Sequence, residues 1–195
     1  MRLPSLIRGD RFAHRAFIRL TRLLGADADD VVKVVFHRPA FFGAPFIAFA
    51  REAMRGPSAW SAGERELFGS VVSSTNECAF CVGTHEVITE SLLGTGALRN
   101  WEDGGHGPRA TATCIFLQKL TREPDAIDGA DVRRVLDTGV QRAALIEAVY
   151  VAFLFNVINR IANALDFGYR SDSVRIRGAA MLHRMGYSVP GFLMR

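Results

Sequence analysis

Four residues have the types and spacing for assisted thiol chemistry: Glu66, Cys78, Cys81 and His85. On a helix, positions 78, 81 and 85 are three and then four residues apart, so their side chains share one face. Positions three apart have Cβ atoms ~5–6 Å apart, close enough for a disulfide after a small backbone adjustment. Helical side chains lean towards the N-terminus, which brings His85 over Cys81 rather than Cys78. Unpaired amides and the dipole at a helix start favour thiolate, the reactive form of cysteine. A histidine one turn away can carry its proton near neutral pH. Glu77 opposes an anion on the adjacent Cys78, so Cys81 is expected to be the more easily ionised of the two.

Glu66 enters through its own helix, which opens on the capping box Ser61-Ala62-Gly63-Glu64. One face of that helix carries Leu67, Phe68, Val71 and Val72. A second carries Ala62, Gly69, Ser70 and Ser73 with Glu66 in the middle, and its small residues admit another helix at close range. Thr75-Asn76 reads as a short turn containing an N-cap residue. If helices 62–74 and 77–93 fold back about it, Glu66 and His85 are equidistant from the turn and should touch. His85 would then bridge Glu66 and Cys81: a thiol, a proton relay and an orienting carboxylate.

The elements that must position these residues are nearly all helical by periodicity, and no alternating strand pattern with turn signals occurs, so the fold class is all-α, a compact multi-helix bundle. Expected helices run from Arg11 to Leu24, stopped by Gly25, and from Asp29-Asp30 to Phe36. A third opens at Pro39 and runs towards Arg55, with Gly43 and Pro45 marking irregularity. After the hairpin, residues 99–108 form the clearest loop, followed by helices near 109–121, 128–137, 140–166 and 172–185. The chain is read as one domain over 1–195, with a motif-bearing core at 57–100 and a C-terminal helical half at 108–195.

Composition bounds the function. Of 195 residues, 49% are apolar and 23% charged, which excludes wholesale disorder. The net charge of +4 is scattered, with no basic tail for nucleic acid. The longest uninterrupted apolar run, Ala148 to Phe155, falls far short of the ~20 residues of a spanning helix, and Asp10-Arg11 interrupts any signal-peptide core. A cytoplasmic protein without nucleic-acid or membrane partners is the expectation. Three cysteines suit a reducing compartment, where C-x-x-C points to redox or metal chemistry.

Glu66, eleven residues, Cys78-x-x-Cys81, three residues and His85 resembles the signature of the alkylhydroperoxidase D-like branch of the carboxymuconolactone decarboxylase superfamily. The approach Trp60 to Leu67 and the late stretch Asn159 to Leu165 are also similar, and the close match covers about residues 57–100. The resemblance implies an all-helical homo-oligomer, commonly a trimer or hexamer, without metal or flavin cofactor, acting as a hydroperoxide peroxidase or disulfide reductase. It implies that Cys81 attacks the peroxide, that Cys78 resolves the sulfenic acid into a Cys78–Cys81 disulfide, and that Glu66 with His85 relays protons. An external dithiol, of lipoyl or thioredoxin type, would reduce that disulfide. Members of the branch often carry a histidine between the cysteines; Phe80 stands there in this chain.

Other assignments compete. A structural zinc site would need Glu66 or His106 as a fourth ligand. An inert buried pair, a redox-sensing oligomer without catalysis, and a lactone decarboxylase-like enzyme of the same superfamily are the remaining alternatives. A thioredoxin-type motif would need a βαβ setting, which the sequence lacks. Cys114, among apolar neighbours, reads as core, and His106 as part of a surface turn. Asn156, Asn159 and Asn163 recur at helical spacing, as hydrogen-bonding groups at a helix or subunit interface or, alternatively, as lining of the site.

Overall fold

The computed structural model describes residues 2–3, 11–23 and 30–194; the expected stop at Gly25 and the first-turn Asp29 lie outside them. Among the described residues there are helices and turns but no strand. The chain runs α1 (Phe12–Leu23), α2 (Asp30–His37), a π-helical turn (Pro39–Gly43), α3 (Ala44–Arg55), α4 (Ala62–Thr75), α5 (Ala79–Leu93) and α6 (Ala97–Asn100). It continues through α7 (Gly107–Arg122), α8 (Gly129–Leu136), α9 (Arg142–Leu165) and α10 (Asp172–Met185).

The centre of the bundle is α4. It is buried along most of its length and packs on α5, α7 and α9, while α10 packs against α5. Such a helix cannot be amphipathic, and small residues let its neighbours in. At Gly69 an added Cβ would lie 2.4 Å from the Phe155 ring of α9. The expected capping box is formed: Glu64 N–H donates to Ser61 Oγ at 3.2 Å and Ser61 N–H donates to Glu64 Oε2 at 2.8 Å. Trp60, just before it, donates its indole N–H to the Ala144 carbonyl at 2.7 Å, pinning the start of α4 to α9.

Three boundaries differ from the expectation. Residues 39–43 wind as a π turn before α3, where Gly43 sits against the Val35 carbonyl so closely that a Cβ would be 2.4 Å from it. The loop at 99–108 contains part of α6 and the first residues of α7. The α4–α5 turn is longer than Thr75-Asn76: Glu77 adopts φ of 52° and the N-cap of α5 is Cys78. Asn76 does not cap α5 because its side chain is taken by α9, donating to Asn156 Oδ1 at 3.0 Å and Asn159 Oδ1 at 3.1 Å.

By length and hydropathy α9 could cross a bilayer, but half of its most apolar window is buried inside the bundle, as in a core helix. A smaller cluster of α1, α2 and the turn at Gly191–Leu193 packs around Val35, Phe36 and Leu193. There His14 stacks on Phe36 at 4.4 Å and its Nε2 meets the Leu193 carbonyl at 2.9 Å.

Candidate functional site

Glu66, Cys78, Cys81 and His85 come together between α4 and α5, beneath α9 and α10. Glu66 is fully buried. Its Oε2 meets His85 Nδ1 at 2.8 Å, the contact that the hairpin argument predicts. Sequence reasoning missed its other two partners. Arg55, the last residue of α3, donates from Nη2 to Oε1 at 2.6 Å, and the Tyr187 hydroxyl donates to both carboxylate oxygens at 2.9 and 3.0 Å. The Arg55 guanidinium also lies over the Tyr187 ring, 4.9 Å from its centroid. Tyr187 lies beyond the end of α10 with φ of 63°, so no local periodicity links it to a motif more than a hundred residues earlier.

Burial alone would raise the Glu66 carboxyl, but the hydrogen bond and charge of His85, followed by Arg55, outweigh it and hold it below the usual range. Burial, then the Glu66 charge, push Tyr187 well above its ordinary value, so it remains a donor. A carboxylate has no proton to give and the tyrosine proton points at Glu66, so His85 Nδ1 must carry hydrogen. Its Nε2 is then the atom that exchanges protons, and the ring forms part of a cavity wall.

The two thiols are unbonded, with nearest atoms 3.1 Å apart. Their inequality is the reverse of the expectation. Cys78 is lowered to about 7, first by the hydrogen bond from the Cys81 thiol and, against burial, by the Cys81 and Phe80 amides and the Asn159 side chain. Cys81 is pushed up, first by its bond to Cys78 and then by burial. Cys78 sits at the N-cap of α5, where amides of the first turn add to the stabilisation that the Cys81 thiol begins. Among the described residues, no hydrogen bond joins His85 to either sulfur, so the expected bridge from Glu66 through His85 to Cys81 stops at the imidazole in this state.

Asn159 is buried on α9 and also donates to Ser73 Oγ at 3.1 Å, while Asn163 donates to the Asn76 carbonyl at 3.0 Å. The asparagine series thus holds the turn that delivers Cys78, and one member reaches the sulfurs. Phe80 stacks on Tyr169 at 4.5 Å, and Tyr169 donates to the Phe80 carbonyl at 3.1 Å. Cys114 is core, its thiol pushed up by burial. His106 bonds the Ala97 carbonyl at 2.9 Å, away from the site. Neither fourth zinc ligand is therefore at hand, since Glu66 is already shared among three donors. Among the described residues, no three His, Cys, Asp or Glu side chains are grouped to hold a metal.

A cavity of about 130 Å³ opens onto this arrangement. Cys81 and His85 lie in its wall; Cys78 does not. The remaining wall is almost wholly apolar, including Phe17, Ile47, Leu154 and Met181.

The fold and the site define a class: a helical bundle with a C-x-x-C pair, a glutamate and a histidine at its centre. No protein-family model matches the sequence, and no curated protein does. Solved structures do match. An uncharacterized peroxidase-related protein from Silicibacter sp. TM1040 superposes with a TM-score of 0.74 at 23% identity, covering 89% of this chain and 93% of that one. The alkylhydroperoxidase AhpD core of an uncharacterized peroxidase-related protein from Ralstonia eutropha JMP134 gives 0.72 at 21% identity, covering 91% and 96%. The chain has the alkylhydroperoxidase D-like fold, as the motif resemblance implies.

Proposed function

We propose that the protein is a cofactor-free thiol peroxidase, reducing organic hydroperoxides with the Cys78–Cys81 pair and recovering its thiols from an external dithiol. The carrying observation is geometric: Cys78 and Cys81 lie side by side and unbonded, and Cys81 shares the wall of one cavity with His85, while Cys78 is the more easily ionised of the pair.

The resting pair is one thiol and one thiolate sharing a proton. As a hydroperoxide enters, Cys81 gives up its proton and its sulfur attacks the distal peroxide oxygen. The O–O bond breaks, Cys81 becomes a sulfenic acid, and the alkoxide takes the proton through His85 to leave as alcohol. The Cys78 thiolate then attacks the Cys81 sulfur, and hydroxide leaves with a proton as water. Two electrons pass from sulfur to oxygen: thiol, thiolate, hydroperoxide and one proton give disulfide, alcohol and water. A lipoyl- or thioredoxin-type dithiol reverses the disulfide by exchange. Ile146, Tyr150 and Phe153, exposed along one side of α9, support packing against a second copy.

Peroxide consumption measured with both dithiol types, for wild type, Cys78→Ser and Cys81→Ser, tests this. Cys81→Ser should abolish turnover, and Cys78→Ser should accumulate a sulfenate at Cys81 that a dimedone probe traps. Free thiols at both positions after peroxide treatment refute it.

A further inference from the structure

We propose that the outward side of α1 is a docking surface for an anionic lipid bilayer. Along this helix Arg11, Arg15, Arg19 and Arg22 recur at intervals of four, four and three, and Phe12, Ala16, Leu20 and Leu23 repeat the same intervals one residue later. At 100° per residue each set occupies a stripe about 80° wide, side by side. The third sector, with His14, Phe17, Ile18 and Thr21, faces the protein and packs on α2 and the C-terminal turn.

Among the described residues nothing covers the apolar stripe: Phe12 is 79%, Leu20 54% and Leu23 85% exposed. Arg19 and Arg22 are exposed as well, and from Arg11 to Leu23 there is no acidic residue. A second copy docked antiparallel on this face would bring arginine stripes together, a like-charge arrangement that disfavours it. Exposed apolar side chains beside the guanidinium groups of Arg19 and Arg22 suit acyl chains below a layer of phosphate headgroups. Such a helix lies on a membrane rather than spanning it, so the expected absence of a spanning segment is no obstacle, whereas the expected absence of a membrane partner is revised. Phe17, on the inward side of the same helix, lines the cavity that contains Cys81. On the thiol-peroxidase reading proposed above, on which this clause alone rests, the docked protein draws its hydroperoxides from the bilayer.

Co-sedimentation of the full chain with vesicles of equal parts phosphatidylglycerol and phosphatidylcholine, against phosphatidylcholine alone, tests the docking. Wild type should pellet with the anionic vesicles, and high salt should release it. Arg19→Gln with Arg22→Gln should lower partitioning about 30-fold, at roughly one kcal/mol per arginine. Leu20→Ser with Leu23→Ser should lower it tenfold or more. Circular dichroism should show both pairs folded as wild type, because these positions are exposed. Cys81→Ser, with no turnover, should pellet as wild type does. Equal binding to neutral vesicles, no pelleting of wild type, or self-association through Leu23 without vesicle binding overturns the proposal. A wild type that pellets with anionic vesicles but turns over no hydroperoxide would overturn only the peroxidase reading.

Discussion

Replacing Glu66 by glutamine keeps the shape of the side chain and inverts half of its hydrogen bonding. Three donors converge on the carboxylate: Arg55 on Oε1, His85 Nδ1 on Oε2, and Tyr187 on both. Glutamine offers one oxygen and one NH2, so one donor must face another. The guanidinium cannot change its proton count, whereas an imidazole can move its proton to the other nitrogen. The oxygen should therefore stay on Arg55 and the NH2 turn to His85, which becomes the Nε2–H tautomer. That tautomer presents hydrogen to the cavity and cannot accept a proton there.

The expected cost of Glu66→Gln in peroxide turnover is about 10²–10⁴-fold, the range for loss of a correctly oriented base. The stability cost is about 3–5 kcal/mol, because Arg55 and His85 lose a buried counter-charge; this lowers Tm by about 6–20 °C. Since the folded pKa of Glu66 is depressed, its contribution is present above the unfolded carboxylate pKa of about 4.3 and is lost as pH falls through the folded value. The gap between wild type and variant should thus narrow in acid. Nitrogen-15 NMR of the imidazole reads the tautomer directly, and urea denaturation across pH reads the stability. An Nδ1–H tautomer retained in a folded Glu66→Gln, or turnover within threefold of wild type, refutes the reasoning.

Thiolate absorbance followed against pH should show one group titrating near 7 in wild type and no group there in Cys78→Ser. Asn159→Ala should raise that first titration and cost about 1–3 kcal/mol in urea denaturation, since it strips a donor from the sulfurs and from Ser73. Gly69→Ala should cost about 1–3 kcal/mol and slow turnover too, because its Cβ would displace Phe155, whose ring packs edge-on against His85 at 4.6 Å.

The helices and the Glu66–His85 pair are legible in the sequence because both follow from local rules. Capping at Ser61, apolar spacing and the distance of each residue from a turn are set by neighbours in the chain. Arg55 and Tyr187 are not legible, for each reaches Glu66 through tertiary packing rather than helical register. The α4–α5 turn is misread for a related reason. Asn76 has the type of a cap, yet α9 competes for its amide, and the N-cap position falls to a cysteine that makes no side-chain cap hydrogen bond. A rule about residue type gives way to a partner more than seventy residues distant.

That displaced cap bears on the mechanism. Cys78, at the N-cap, is the more easily ionised sulfur, held so first by the Cys81 thiol, and it has no access to the cavity. The cavity-facing sulfur, itself buried, is left as a thiol hydrogen-bonded to it. Such a pair is protected at rest, because the nucleophile facing substrate is protonated. It is also prepared for the second step, since Cys78 is readily ionised near neutral pH and within reach when Cys81 gains its oxygen. Had the amides converged on Cys81 instead, attack would be faster but resolution would wait on deprotonation of a fully buried thiol, leaving the sulfenic acid open to further oxidation. The order of acidity found here favours closing the disulfide over speed of the first encounter. Overoxidation of Cys81 in Cys78→Ser, and not in wild type, is the corresponding signature by mass spectrometry.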